Sequence, residues 1–303
     1  MKKILVIVGP TGVGKTKLSV ELAKLFNGEI ISGDSMQVYR NMDIGTAKIT
    51  KSEMQGITHY FIDSHEFDEE YNVKVFQEQA RKYIDDIIDR GKLPIVCGGT
   101  GLYIKSLIYD YKFLEQNKNE KYMNFLKQRS DDELWNMLEI VDGETAKTLH
   151  RNNRQRIIRA LCMAYDGQKK SEILEGQEHK PIYDTYMIGL TMDRQRLYER
   201  IDYRVDIMME QGLKQEVERL YHLKGEKVWD LQSFKGIGYK EWKSYFDKLE
   251  DEKTCVEKIK KNSRNFAKRQ YTWFNNQMDV HWYDTETENF QKQIELDIKE
   301  WLK

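Results

Sequence analysis

Cysteine is scarce in this chain of 303 residues, occurring only as Cys97, Cys162 and Cys255. Their odd number and the lack of any C-x-x-C spacing argue against a disulfide framework and against a zinc site, so a reducing, cytoplasmic compartment is expected. Charge of one sign is not in surplus either, since 49 basic side chains face 50 acidic ones. Bulk charge therefore gives no hint of nucleic acid, and only local clustering can. Long apolar runs are missing as well. The segment after Lys2-Lys3 superficially resembles a signal peptide, yet its apolar run breaks at Gly9-Pro10 after too few residues. No stretch approaches the length needed to span a bilayer, so no membrane association is expected. Neither an internal repeat nor a low-complexity segment interrupts the chain, which is long enough for one large domain or two ordinary ones.

The most informative segment present is Gly9-Pro10-Thr11-Gly12-Val13-Gly14-Lys15-Thr16, which fits G-x-x-x-x-G-K-[ST] at every fixed position. The apolar run Ile4 to Val8 precedes it as a buried strand, and Leu18, Leu22 and Leu25 recur at helical spacing through Phe26. Glycines in such a loop let backbone N–H groups curl around phosphate oxygens, and the helix N-terminus adds its positive dipole end. Lys15 would reach terminal phosphate oxygens, and the Thr16 hydroxyl would enter the coordination shell of Mg²⁺. Further strand-like runs lie at Glu29 to Ser32, Tyr60 to Ile62, Pro94 to Cys97 and Tyr186 to Leu190, with helix-period segments between most of them. That pattern predicts an α/β fold with a P-loop NTPase-like parallel sheet. Residues 111–181 show no convincing strand and read as an inserted all-helical domain. The core is then 1–110 and 182–303, mostly helical after Thr191.

Two strand ends qualify the phosphate chemistry. Asp34 follows the second strand, where it can hold hydrated Mg²⁺ through a water, accept a proton from a nucleophile, or simply cap the turn from Ser35 onward. Gly98-Gly99-Thr100-Gly101 follows the strand at 94–97. It can offer amides and the Thr100 hydroxyl to phosphate, or be only a tight turn into a helix. Local charge clusters then emerge from the neutral total. Arg151, Arg154, Arg156 and Arg159 occur with no acid between them, and helical spacing puts Arg151, Gln155 and Arg159 on one face. Lys258, Lys260, Lys261, Arg264, Lys268 and Arg269 form a second acid-free run, followed by Tyr271, Trp273 and Phe274. Cations beside aromatics suit an RNA surface. A third group, Arg194, Arg196, Arg200 and Arg204, could clamp a diphosphate or pair with Asp193, Glu199, Asp202 and Asp206.

Together these segments resemble the bacterial tRNA dimethylallyltransferases, the IPP transferase family. The resemblance is carried by the P-loop, by Ile31 to Tyr39, by Met42-Asp43-Ile44-Gly45-Thr46-Ala47-Lys48 and by Val96 to Tyr103. Gln155 to Leu161, Gly236-Ile237-Gly238-Tyr239-Lys240-Glu241 and Ala267 to Trp273 extend it over most of the chain. It implies transfer of a dimethylallyl group from dimethylallyl diphosphate to the exocyclic amine of a flipped adenosine beside the anticodon, with Mg²⁺ as cofactor. Gly9, Pro10, Thr11, Gly12, Val13, Gly14, Lys15 and Thr16 would hold the diphosphate, assisted by Thr100, Arg194 and Arg200, and Asp34 would be the general base. Asp34, Ser35, Met36 and Gln37 would meet the base. Gln155, Arg156, Ile157, Ile158, Arg159, Lys268, Arg269, Gln270 and Trp273 would hold the tRNA anticodon stem-loop. The chain is expected to act as a monomer. It departs from the family in lacking a proline in Tyr111-Lys112-Phe113-Leu114-Glu115 and in having Asn152-Asn153 where Asn-Asp is usual. With no paired cysteines, the zinc-finger extension of eukaryotic relatives is not expected. A prenyltransferase of free adenine nucleotides, a P-loop small-molecule kinase and a non-catalytic RNA-binding module are the competing readings.

Overall fold

The computed structural model describes residues 1–113, 119–175 and 179–303; Leu114 and Glu115 of the proline-free segment lie outside them. The chain forms two compact units, Met1–Tyr109 with Pro181–Lys303, and Asp110–Lys180. The first is built on a six-stranded sheet in the order β3-β2-β4-β1-β5-β6. The strands are β1 Lys3–Val8, β2 Gly28–Ser32, β3 His59–Tyr60, β4 Leu93–Cys97, β5 Asp184–Thr191 and β6 His281–Asp284. All pairings between them are parallel.

Strand β1 lies between β4 and β5, and its residues Ile4 to Val8 are completely buried. A strand covered on both faces needs an unbroken apolar run, which is why its sequence does not alternate. Ile4, Val6 and Val8 point into one core with Phe76, Ala80, Ile84 and Ile87 of the Val73–Asp89 helix. Leu5 and Ile7 point into the other, with Leu18 and Leu22 of the Lys15–Leu25 helix. The third leucine of that periodicity, Leu25, is half exposed, because Val20 and Ala23 complete the buried face instead.

Two strands differ from expectation. The run Tyr60 to Ile62 contributes only Tyr60 to β3, since Phe61 takes a φ of 62° and turns its ring into the core. Strand β6 was unexpected within a region read as helical. It is a four-residue edge strand, His-Trp-Tyr-Asp, exposed at both ends, too short for an alternating pattern to register. The second unit contains helices Glu120–Lys127, Asp131–Val141, Gly143–Thr148, Arg154–Tyr165 and Lys170–Glu175. They close around Leu126, Leu134, Leu138, Ile157 and Leu161. No helix among the described residues is long and apolar enough to cross a membrane.

Glu29 on β2 is the main buried charge of the sheet, with its side chain 3% exposed. Arg90 grips it bidentately at 2.6 and 2.8 Å, and Lys92 and Tyr60 each donate to it at 2.7 Å. The Arg90 hydrogen bonds lead in holding its carboxyl down to about 2, against an ordinary value of 4.5. A depressed carboxylate stabilises the fold above its unfolded pKa and loses that contribution as pH falls towards the folded one. Glu29→Gln should therefore cost roughly 3 kcal/mol at pH 7 in denaturant unfolding, with the gap to the parent narrowing from about pH 5 to pH 2. A gap independent of pH would contradict this assignment.

Candidate active site

The carboxyl ends of β2, β4 and β1 are neighbours, and the chain leaves β1 towards β2 but leaves β4 towards β5. Connections that part in opposite directions open a crevice at the sheet edge. Gly9 to Thr16 lines it from β1, with Gly9, Gly12 and Gly14 at φ of 139°, 83° and 111°, a region that other residues enter only at a cost. Helix Lys15–Leu25 starts at Gly14 with no side-chain cap and no acid in its first turn. Helix Gly101–Ile108 starts at Thr100 in the same way. The first presents free amides and its positive dipole end to the crevice, the arrangement that binds anions, while the second begins beside the Gly98-Gly99 turn that lines it, with Gly101 packed against Trp273.

Lys15 folds onto the loop, donating to the Gly9 and Pro10 carbonyls at 2.9 and 2.8 Å. Burial pushes its ammonium down to about 8, with Cys97 and Asp34 opposing the shift. Thr16 is exposed and lines the crevice, a space of about 920 Å³ that also reaches Asp34, Cys97, Arg200 and Arg204. A second cavity of about 370 Å³ adjoins it, lined by Met36, Ile201, Val205, Met208, Ile237 and Ile259 together with polar and charged groups that include Lys235, Lys240 and Arg269. Thr11, Asp34, Thr46, Arg204 and Phe266 line both spaces.

Asp34 does cap its own turn: Oδ1 accepts from the Met36 amide at 2.8 Å and the Gln37 amide at 3.4 Å. Its Oδ2 accepts no hydrogen bond from the described residues, so the carboxylate keeps a free oxygen at the junction of the two spaces. The Thr100 hydroxyl accepts from the Ser35 amide at 3.3 Å, tying the β4 turn to the β2 turn. Gln37 is engaged as well, donating to the Thr46 and Ala47 carbonyls at 3.4 and 3.3 Å.

The arginine stripe divides. Arg200 and Arg204 reach the crevice from helix Arg194–Glu210, four residues apart on one face. Arg194, expected on the diphosphate, does not. Six residues before Arg200 it faces elsewhere, stacks over Tyr198 and lines a surface hollow with Glu199, Asp202 and Arg264. Arg196 pairs with Glu286, an acid outside the four considered from sequence. Arg204, a candidate diphosphate clamp by its spacing from Arg200, is not among the residues that the resemblance implies, yet it lines the crevice. Burial works against its charge and the nearby Asp34 carboxylate offsets this.

The wall formed by residues 42–48 depends on a group that sequence gave no reason to single out. Glu216, buried on helix Leu213–Lys224, accepts from the Asp43, Ile44 and Gly45 amides at 2.8, 2.9 and 3.1 Å and from Tyr239 at 2.7 Å. One carboxylate thereby joins two of the family-like segments, Met42 to Lys48 and Gly236 to Glu241.

Among the residues expected on RNA, Gln155, Arg156 and Arg159 are exposed on helix Arg154–Tyr165. Ile157 is not available, being wholly buried in the core of the helical unit, and Ile158 packs against the same core. Arg151 precedes the helix and stacks on Trp135, so the three-residue face with Gln155 and Arg159 does not form. Arg154 is held by Asp131. In the second basic run, Lys258, Lys260 and Arg264 pair with Glu250, Asp206 and Asp202, whereas Lys268 and Arg269 are exposed. Phe274 is core, Trp273 lies half-buried against Gly101, and Gln270 is buried between loops. Gln270 and Phe274 face inward because they share the helix side of Ala267, whereas Trp273, about a third of a turn away, keeps part of its ring exposed.

The family model described as IPP transferase matches residues 37–277. The chain belongs to that family. Among its IPP transferase relatives is a protein of Bacillus cytotoxicus named tRNA dimethylallyltransferase, 52% identical over 288 residues, covering 93% of this chain and 90% of the relative. A solved tRNA isopentenylpyrophosphate transferase of Staphylococcus epidermidis is 44% identical with a TM-score of 0.73, covering 99% of both chains. A eukaryotic dimethylallyltransferase described as acting on tRNA is 32% identical with a TM-score of 0.85, over 99% of this chain and 79% of that one. In this IPP transferase, Lys15 is cationic in the free state only below about pH 8. The affinity for inorganic pyrophosphate should accordingly fall as pH rises through that value. Lys15→Arg, whose guanidinium keeps its charge, should remove this component of the pH profile. Identical profiles for the two proteins from pH 7 to 9.5 would contradict the role given to Lys15.

Proposed function

We propose that this chain transfers the dimethylallyl group of dimethylallyl diphosphate to the exocyclic N6 amine of the adenosine on the 3′ side of the anticodon in tRNA, releasing pyrophosphate. The observation that carries the reading is the junction at Asp34. A crevice lined by the P-loop, with its uncapped helix N-terminus, and by the Gly98-Gly99 turn meets a smaller cavity of mixed lining there, and the carboxylate has one oxygen free. The diphosphate lies on the amides of Gly9 to Thr16, with Lys15, Thr16, Arg200 and Arg204 around it and Thr100 at the opposite turn. The five-carbon chain and the flipped adenine meet in the cavity.

The amine attacks the allylic carbon while that carbon's bond to the diphosphate oxygen breaks, and the electron pair leaves with pyrophosphate. Fixed donors aimed at the departing oxygens stabilise the charge that develops there without reorganising. The amine becomes acidic as its new bond forms, and the free Asp34 oxygen takes the proton. Mg²⁺ supplies further charge neutralisation to the diphosphate when bound. The donor set fits such an ion: the Thr16 hydroxyl and Asp34, through a water, share the crevice. Among the described residues no cluster of three or more His, Cys, Asp or Glu is gathered that would suit a fully protein-held metal.

On the RNA side, Gln155, Arg156 and Arg159 in the helical unit and Lys268 and Arg269 in the core unit hold the anticodon arm. Ser35 and Met36 border the cavity that takes the base. Phosphate contacts offset the cost of unstacking the adenine, on the order of a few kcal/mol. The names of the relatives favour neither a kinase nor a free-nucleotide prenyltransferase.

Incubation with labelled dimethylallyl diphosphate, Mg²⁺ and unmodified tRNA, followed by nucleoside analysis, tests the reading. Label on an adenosine of the anticodon loop is expected, and label on free adenine nucleotide without tRNA product would overturn the acceptor. Arg159→Ala and Arg269→Ala should each weaken tRNA binding and lower its salt dependence by about one phosphate contact.

A further inference from the structure

The family resemblance implies an RNA contact for Gln270, yet the side chain is buried and bridges two loops. Its Oε1 accepts from the Thr11 amide at 2.9 Å, and its Nε2 donates to the Gly99 carbonyl at 3.0 Å. The two bonds together fix the orientation of the amide, since one partner can only donate and the other only accept. Thr11 is the shoulder of the P-loop and Gly99 adjoins Thr100, the start of the second uncapped helix. The fit is tight: a Cβ at position 99 would lie 2.0 Å from Nε2. Gln270 itself is held from below by Ala267 and Phe274, buried one turn to either side on helix Glu252–Gln277.

Building on the diphosphate reading above, we propose that Gln270 is a positioning residue. It sets the separation of the P-loop and the Gly98-Gly99 turn, which line opposite parts of one crevice, so that one diphosphate can engage both. It borders the crevice, and its role is exerted through the two loops rather than on the reacting atoms or the RNA. Without it the Thr11 amide and the Gly99 carbonyl lose their partners, and the side-chain bridge between the two loops is gone, although the backbone contacts of the Gly98 turn with β1 and with Gly33 remain. The preorganisation of the cradle is then lost, although the sheet beneath it stays intact.

The test is calorimetric titration of the full chain with pyrophosphate and Mg²⁺, beside a tRNA binding assay and a melting curve. Gln270→Met keeps the volume of the side chain and removes both bonds. It should weaken pyrophosphate by about tenfold, the effect of one lost hydrogen-bonded support, while leaving tRNA affinity within about twofold. Gly99→Ala should reproduce the defect by expelling the amide. In a Gln270→Ala background the same Gly99→Ala change should cost nothing more, because the added methyl then has room. This cycle decides the matter even if Gln270→Met lowers the melting temperature. Unchanged pyrophosphate affinity in Gln270→Met, loss of tRNA affinity alone, or additive effects in the cycle would each overturn the inference. A parent protein that failed to bind pyrophosphate at all would instead overturn the diphosphate reading on which it rests.

Discussion

The ends of β2 and β4 touch backbone to backbone, and the site is assembled from that contact. A Cβ on Gly98 would lie 2.4 Å from the carbonyl carbon of Gly33, so no other residue fits there without displacing main chain. The Gly33 amide donates to the Cys97 carbonyl at 2.8 Å, and the Thr100 amide donates to the Gly33 carbonyl at 3.4 Å. This crossing sets Asp34 against Thr100 and both against the P-loop of the adjoining strand. Three separate strand ends thereby become one crevice, into which a carboxylate, a lysine and the N-terminus of the Lys15–Leu25 helix all face.

Around that crossing, single buried polar side chains span the gaps between loops. Glu216 gathers three consecutive amides of the 42–48 loop, and Lys48 returns to the Tyr39 carbonyl, Asp43 and Asp63. Gln37 and Arg204 reach the carbonyls of the same loop. Removing one partner from such a buried arrangement leaves donors unsatisfied, which costs more than the bond itself was worth. The loop that walls both spaces is therefore held by side chains from distant parts of the sequence.

How far the sequence disclosed this varies with the kind of signal. The P-loop and β1 were legible because a fixed motif and a long apolar run are local. The parallel α/β class followed from the order of strands and helices. Arg204 was legible in part, since its spacing from Arg200 was seen but not preferred over Arg194. Strand β6 was hidden because an exposed four-residue edge leaves no periodicity. Glu216 and Gln270 were hidden for a different reason: the loops they hold lie 171 or more residues away in the chain. A run of cations such as Lys258 to Arg269 looks uniform in sequence, and only folding reveals which members are already paired.

The account stands or falls on the free oxygen of Asp34 as the proton acceptor. Asp34→Asn keeps the Oδ1 that caps Met36 and Gln37 and so preserves the turn, but it removes the base. Single-turnover transfer from dimethylallyl diphosphate to tRNA, measured at saturating enzyme, isolates the chemical step from binding. The account predicts a rate lowered by at least about 10²-fold with tRNA and pyrophosphate affinities little changed. A single-turnover rate within about twofold of the parent would contradict it.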